Sequence, residues 1–234
     1  MVEYKEIETY LRISPYKFEI YLLDTINRTK LYNHELEIEN DLDIINLDIL
    51  NNFLKDNVYK IEKLLGRFLK NITLIIETNK IKKLYIGIKR KNYKNKIDKQ
   101  FLENSLIDAK DLFKENYKNQ KILHMIVNRY FLNDKYYLSF EDVIQSNNLC
   151  VEIEFRSISE TYISQINFIL EKYQIKILQY LDGTYIDNYF KNDNIDFAEM
   201  VLEIKNGRNL NEVKLVPKSL KNKGFFEKFF QLFS

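Results

Sequence analysis

Few residues in this 234-residue chain are of types that do covalent or metal chemistry. There are two histidines, His34 and His124, and one cysteine, Cys150. A lone cysteine excludes an internal disulfide, and two distant histidines do not make the closely spaced ligand set that zinc requires. His124 stands inside a strand-like run, "KILHMIVNRYFL", where a packed or hydrogen-bonded histidine is commoner than a catalytic one. Cys150 adjoins the apolar Val151 and reads as a small apolar filler. Neither a P-loop nor a GxGxxG occurs, so no glycine-rich turn offers backbone amides to a phosphate. Asp and Glu number 34, too many for a carboxylate pair to be singled out without a fold. The expectation is no catalytic residue, no metal and no cofactor.

The spacing does offer interfacial chemistry. The stretch "GFFEKFFQLFS", Gly224 to Ser234, carries five phenylalanines. On a helix at about 100° per residue, Phe225, Phe226, Phe229, Phe230, Leu232 and Phe233 fall within an arc of about 160°, with Glu227, Lys228, Gln231 and Ser234 opposite. Such a helix either docks on the core or lies in a membrane interface. A membrane is favoured by the polar linker "RNLNEVKLVPKSLKNK" before it and by Lys214, Lys218, Lys221, Lys223 and Lys228, each worth about 1 kcal/mol beside anionic headgroups. The expected membrane-binding residues are the six apolar ones with Lys221, Lys223 and Lys228. The segment is too short to span a bilayer. A second cluster, Lys80 to Lys99, holds nine Lys or Arg and one Asp, interleaved with Tyr85 and Tyr93. It is the pattern of a nucleic-acid surface, of a solvated loop after a strand, or of a second face toward an anionic membrane. Net charge decides against a general polyanion affinity, since 36 Lys and Arg against 34 Asp and Glu leave only +2. Nucleic acid is therefore not expected as a partner.

The elements that must position these residues alternate between the two periodicities. "TYLRISPYKFEIYLLD" reads as two short strands around Ser14 and Pro15. The acidic "EIENDLD" reads as a loop. From Leu47 to Leu69 apolar residues recur at three and four, the signature of a long helix. "ITLIIE" and "KLYIGIK" read as strands, Phe101 to Tyr117 as a helix with Leu102, Leu106, Ala109 and Phe113 inward. In "LCVEIEFRS", Leu149, Val151, Ile153 and Phe155 alternate with polar residues, as in a half-buried strand. Ser159 is placed to cap a helix running to about Tyr173, and "IKILQY" follows as a strand. A short helix near Phe197 to Ile204 stops at Asn206 and Gly207. Val151, Ile153, Phe155, Ile166, Ile169 and Ile177 are expected to form one continuous core. With no basic start followed by an apolar run, a secretory signal is not expected, and the single cysteine fits a reducing compartment.

Three stretches, "ILHMIVNRYFLND", "LCVEIEFRSISETYISQINFILEKYQIKILQYLDGTYI" and "DFAEMVLEIKNG" with its linker and amphipathic tail, resemble FtsA, the actin-like bacterial cell-division protein. The resemblance implies an α+β fold: a partial actin-like (RNase H-like) subdomain, an inserted SHS2-like strand-helix-strand subdomain, and a C-terminal amphipathic helix. The implied divisions are 1–83 actin-like, 84–181 SHS2-like, 182–206 a return to the actin-like part, 207–223 a basic linker and 224–234 the membrane-targeting helix. Two departures bear on activity. Where the family carries an Asp-Ile-Gly-Thr type phosphate loop, this sequence has "RISPYKF", without aspartate or glycine. Between Ile186 and Asp196 only a few residues stand where the family carries its second phosphate loop and second half.

These features imply a non-enzymatic peripheral scaffold of cell division on the cytoplasmic face of the inner membrane at the division site. Its implied partners are anionic lipid, other division proteins and itself; direct FtsZ contact is put in doubt by the missing half. The rivals are an ATP-binding actin-like switch with a rebuilt pocket, a scaffold like the pilus-assembly relatives of FtsA, and a nucleic-acid-binding protein using Lys80 to Lys99.

Overall fold

A computed structural model describes residues 7–39, 44–93, 96–140 and 143–214. In chain order the elements are β1 (Ile7–Ile13), β2 (Lys17–Asp24), β3 (Thr29–Glu37), α1 (Leu47–Leu65) and β4 (Asn71–Ile76). Then come β5 (Lys82–Lys91), β6 (Ile97–Asp98), α2 (Lys99–Asn116), β7 (Gln120–Leu132), β8 (Lys135–Tyr137), β9 (Val143–Ile144) and β10 (Asn148–Ser159). The last are α3 (Glu160–Glu171), β11 (Lys176–Asp182), α4 (Gly183–Tyr189) and α5 (Phe197–Lys205). Among the described residues they fall into two units, one drawn from 7–81 and 159–206, the other from 82–158 and 207–214.

The first unit is built on a five-stranded sheet of order β11-β4-β1-β2-β3. β1, β2 and β3 form an antiparallel meander, while β4 runs parallel to β1 and β11 parallel to β4. This is the RNase H-like order that the actin-like resemblance implies. The β1–β2 turn closes without glycine: Ser14 N donates to Lys17 O at 2.9 Å, and Ser14 Oγ accepts from Lys17 N at 2.9 Å. Leu11 and Ile20 on one face and Tyr10 and Tyr21 on the other are fully buried, as central strands covered on both faces require. α1 begins where Asn46 Oδ1 accepts from Asp48 N and Ile49 N, each at 3.1 Å. It stops at Gly66, whose φ of 64° any other residue resists, rather than running to Leu69 as expected. Phe68, placed on the helix face by periodicity, is consequently 75% exposed.

The divisions expected from sequence shift. α3 and β11, assigned to 84–181, belong to the first unit, because β11 pairs with β4 from Lys176↔Asn71 to Asp182↔Ile76. The inserted stretch is Lys82–Ile158. The expected continuous core is accordingly two cores: Val151, Ile153 and Phe155 lie in the second unit, Ile166 and Ile169 in the first, and Ile177 is half-buried. Ser159 occupies the N-cap of α3 but makes no side-chain capping bond.

The second unit has a four-stranded sheet of order β5-β10-β7-β8 and a small β6-β9 pair. β10 runs antiparallel to β5, with Val151 opposite Ile88 and Phe155 opposite Leu84. α2, capped by Asp98 Oδ1 accepting from Phe101 N at 2.9 Å, lays Leu102, Leu106, Ala109 and Phe113 on this sheet. Phe113 stacks on Phe155 with centroids 4.7 Å apart. The stretch read as linker begins inside this unit: Val127 N donates to Asn211 O and Val213 N to Met125 O, both at 2.8 Å. Ile126 and Glu212 form an antiparallel bridge, and Val213 enters the core at 8% exposure. Among the described residues no helix is long and apolar enough to cross a membrane.

Candidate functional site

Ligands of open sheets with parallel strands bind outside the carboxyl ends of those strands. In the first unit β1, β4 and β11 end together. Arg12 is the penultimate residue of β1, and Glu77 follows β4, its N–H donating to Ile13 O at 2.9 Å. Asp182 ends β11 and caps α4 by accepting from Tyr185 N at 3.2 Å. Gly183 follows it where any Cβ would meet the Glu77 side chain, so a glycine here leaves Glu77 free to stay in its place beside Arg12.

Arg12 is the hub. Its Nε donates to Glu77 Oε1 at 2.5 Å and its Nη2 to Asp187 Oδ2 of α4 at 2.8 Å; Glu19 Oε2 of β2 stands 3.8 Å from Nη1. The guanidinium lies 3.6 Å from the centroid of the Phe197 ring of α5. Burial acts against the Arg12 charge, but Glu77, Asp187 and Glu19 outweigh it and its pKa is raised. Burial, ahead of the pull of Arg12, pushes the Glu77 and Asp187 carboxyls up. Chemically, the guanidinium gives its Nε and one Nη2 donor to carboxylates and its face to an aromatic ring. What this arrangement does is tie β1, β2, β4, α4 and α5 together. A parallel tie binds the middle of the sheet, where Lys205 of α5 pairs with Glu8 and lies 3.2 Å from Thr73 Oγ1. Among the described residues no group of three or more His, Cys, Asp or Glu is placed to hold a metal ion. Sequence reading missed this cluster, because Arg12 and Asp187 are 175 positions apart. The only local signal was an arginine in "RISPYKF".

All nine expected membrane-binding residues, Phe225, Phe226, Phe229, Phe230, Leu232, Phe233, Lys221, Lys223 and Lys228, lie outside the described residues. Of the basic run, Lys82–Lys91 forms β5, at an edge of the second sheet. On its exposed face Lys89 stands opposite Cys150, Gly87 opposite Glu152 and Tyr85 opposite Glu154. Glu152 pairs with Arg129 at the surface, while the Glu154–Arg156 pair is largely buried, so charges of both signs stand beside this strand. His124 is 1% exposed, its Nδ1 2.6 Å from Glu212 Oε1, which is the hydrogen-bonded role expected of it. His34 is exposed and stacks on Phe53. Cys150 is half-buried and, by the strand's alternation, faces away from Val151, so it does not fill that core.

No protein-family model and no curated protein sequence matches the chain. Among solved structures, a Bacteroides thetaiotaomicron protein with an actin-like ATPase fold and unknown function aligns with 83% of this chain and 61% of its own, at 15% identity and a TM-score of 0.34. A PilM-PilN type IV pilus biogenesis complex aligns with 78% of this chain and 49% of the other, at 7% identity and 0.46. The cytoplasmic domain of EpsL, an inner membrane component of the type II secretion system of Vibrio cholerae, aligns with 77% and 57%, at 7% and 0.35. The chain thus spans between 49% and 61% of the lengths of these proteins.

Proposed function

We propose that this chain is a non-enzymatic scaffold of bacterial cell division, resembling FtsA and held at the cytoplasmic face of the inner membrane by Gly224 to Ser234. The observation that carries the scaffold reading is the occupancy of the strand ends by Arg12. With Glu77, Asp187 and Glu19 around it, Arg12 leaves the strand ends no net positive charge for a phosphate, and a turn built on Ser14 and Pro15 offers no glycine amides. The membrane reading is supported by the one-sided arc of phenylalanines and the lysines beside it. In this reading the second unit is SHS2-like and supplies the contacts to division proteins.

Two measurements test it. Full-length chain should sediment with anionic vesicles, and Phe229→Glu with Phe230→Glu should abolish this, because each large apolar side chain is worth about 1.5 to 3 kcal/mol on burial. Unchanged sedimentation of the double variant would remove the anchor. A fluorescent fusion should form midcell bands in dividing cells; foci elsewhere on the envelope would overturn the division role and leave a scaffold of another membrane machine.

A further inference from the structure

The second unit carries a groove for which its own described residues supply no filling. It lies between α2 and the segment added to β7, encloses about 130 Å³ and is lined by Leu102, Leu106, Val127, Tyr130, Phe140 and Leu210 among others. A cavity of about 150 Å³ with such apolar walls is the size that accepts a benzene ring. Its rim is apolar and uncovered: Leu210 is 91% exposed, and Leu138, whose carbonyl accepts from Asn211 Nδ2, is 68% exposed. One wall holds a carboxylate, Glu103, whose Oε1 is buried without a hydrogen-bond partner among the described residues.

The chain itself points to what fills this groove. Val213 is one of its lining residues, and the description of the chain ends one residue later at Lys214. Eleven residues on comes Phe225, the first of five phenylalanines, with Lys228 among them and Lys221 and Lys223 just before. Ten intervening residues extend up to about 35 Å, ample to fold back, and joining the two in one chain raises their effective concentration to about the millimolar range. Phenylalanine rings match the groove in size, and Lys221, Lys223 and Lys228 would add to Lys99, which also lines the groove, as cations for Glu103.

We propose that this groove holds one phenylalanine ring of the Gly224–Ser234 stretch when no membrane is present, so that groove and bilayer compete for the same apolar face. The inference rests on the membrane reading above only for the identity of the competitor. Docking shelters the phenylalanines in solution and weakens the apparent membrane affinity by the fraction of tail left free.

The test uses the full chain. Without lipid, cleavage by a lysine-specific protease at Lys221, Lys223 and Lys228 should be about tenfold slower than in a synthetic Leu215–Ser234 peptide if the tail is docked nine-tenths of the time. Ser139→Trp, at an exposed position on the groove wall, should restore the peptide's rate. So should Phe225→Ser, Phe226→Ser, Phe229→Ser and Phe230→Ser combined, which leaves every described residue unchanged. Ser139→Trp should also bind anionic vesicles at about tenfold lower lipid concentration. A wild-type tail cleaved at the peptide's rate overturns the docking, even in a chain that sediments through its tail. Protection lost in both variants supports it, even in a chain that fails to sediment, a result that would refute the membrane reading alone.

Discussion

At the scale of single residues, Arg12 is the most consequential side chain of the first unit. It is 19% exposed and shared among three carboxylates, and its removal leaves Glu77 and Asp187 close together without their counter-charge. Breaking a buried ion pair from one side costs about 3 to 5 kcal/mol; the partial exposure of Arg12 puts Arg12→Met at the low end, about 3 kcal/mol at pH 7. The pH dependence follows from the direction of the shifts. Burial raises the Glu77 and Asp187 carboxyls in the folded state. Stability from a group raised above its unfolded value is fully present below that value, about pH 4, and is lost as pH rises through the folded one. Without Arg12 both carboxyls rise further, so the cost of Arg12→Met should shrink as pH falls from 7 toward about 5. Urea melts of wild type and variant at both pH values check this. An equal cost at the two would mean that Arg12 acts by stacking on Phe197 instead of by charge.

Elements that cover themselves in apolar stripes behave as sequence patterns say, and Phe155 gives the sharpest test. It is fully buried in β10 and stacked on Phe113 of α2, so Phe155→Ala should cost about 3 to 5 kcal/mol, part of it the lost ring pair. Hydrogen exchange should show α2 and β10 amides losing protection while β1 and β2 keep theirs, because Phe155 belongs to the core of the second unit. Near-neutral behaviour would mean that β10 is shifted by one residue with its charged face inward. α2 and β10 could be read from sequence because each buries a regular face, and the β1–β2 hairpin because its strands are apolar runs buried on both faces. β3 could not: its burial runs exposed at every position but Tyr32, and an edge strand with nothing to bury shows no alternation. The same holds for residues 211–213, where one apolar residue, Val213, in a polar run joins the core through backbone hydrogen bonds that composition does not register. The end of α1 was misplaced because the apolar spacing continues through Phe68 while Gly66 stops the helix. The candidate site was invisible for a different reason, since it is assembled from strand ends brought together only by β4 pairing with both β1 and β11.

For the whole molecule, the question is whether an actin-like sheet is being used as a nucleotide switch or as a frame. A frame needs the strand ends rigid, which is what the Arg12 cluster and the capping of α4 by Asp182 provide. A switch needs them open to a polyphosphate and its cation. Calorimetric melting separates the two. A ligand that binds only the folded state at about 100 times its dissociation constant adds about 2.7 kcal/mol. For a chain of this size each kcal/mol raises the melting temperature by about 2 to 4 °C, so a true nucleotide site would show a rise of about 5 to 10 °C with magnesium ATP. We expect none. The control is the same titration on Arg12→Met: if the wild type is silent because the β1–β2 turn lacks glycine amides, the variant should be less stable yet also gain nothing from ATP. A rise in the variant alone would mean that Arg12 occludes an otherwise competent pocket, and a rise in the wild type would mean that the ion-pair cluster opens to admit nucleotide and that the frame is a switch after all.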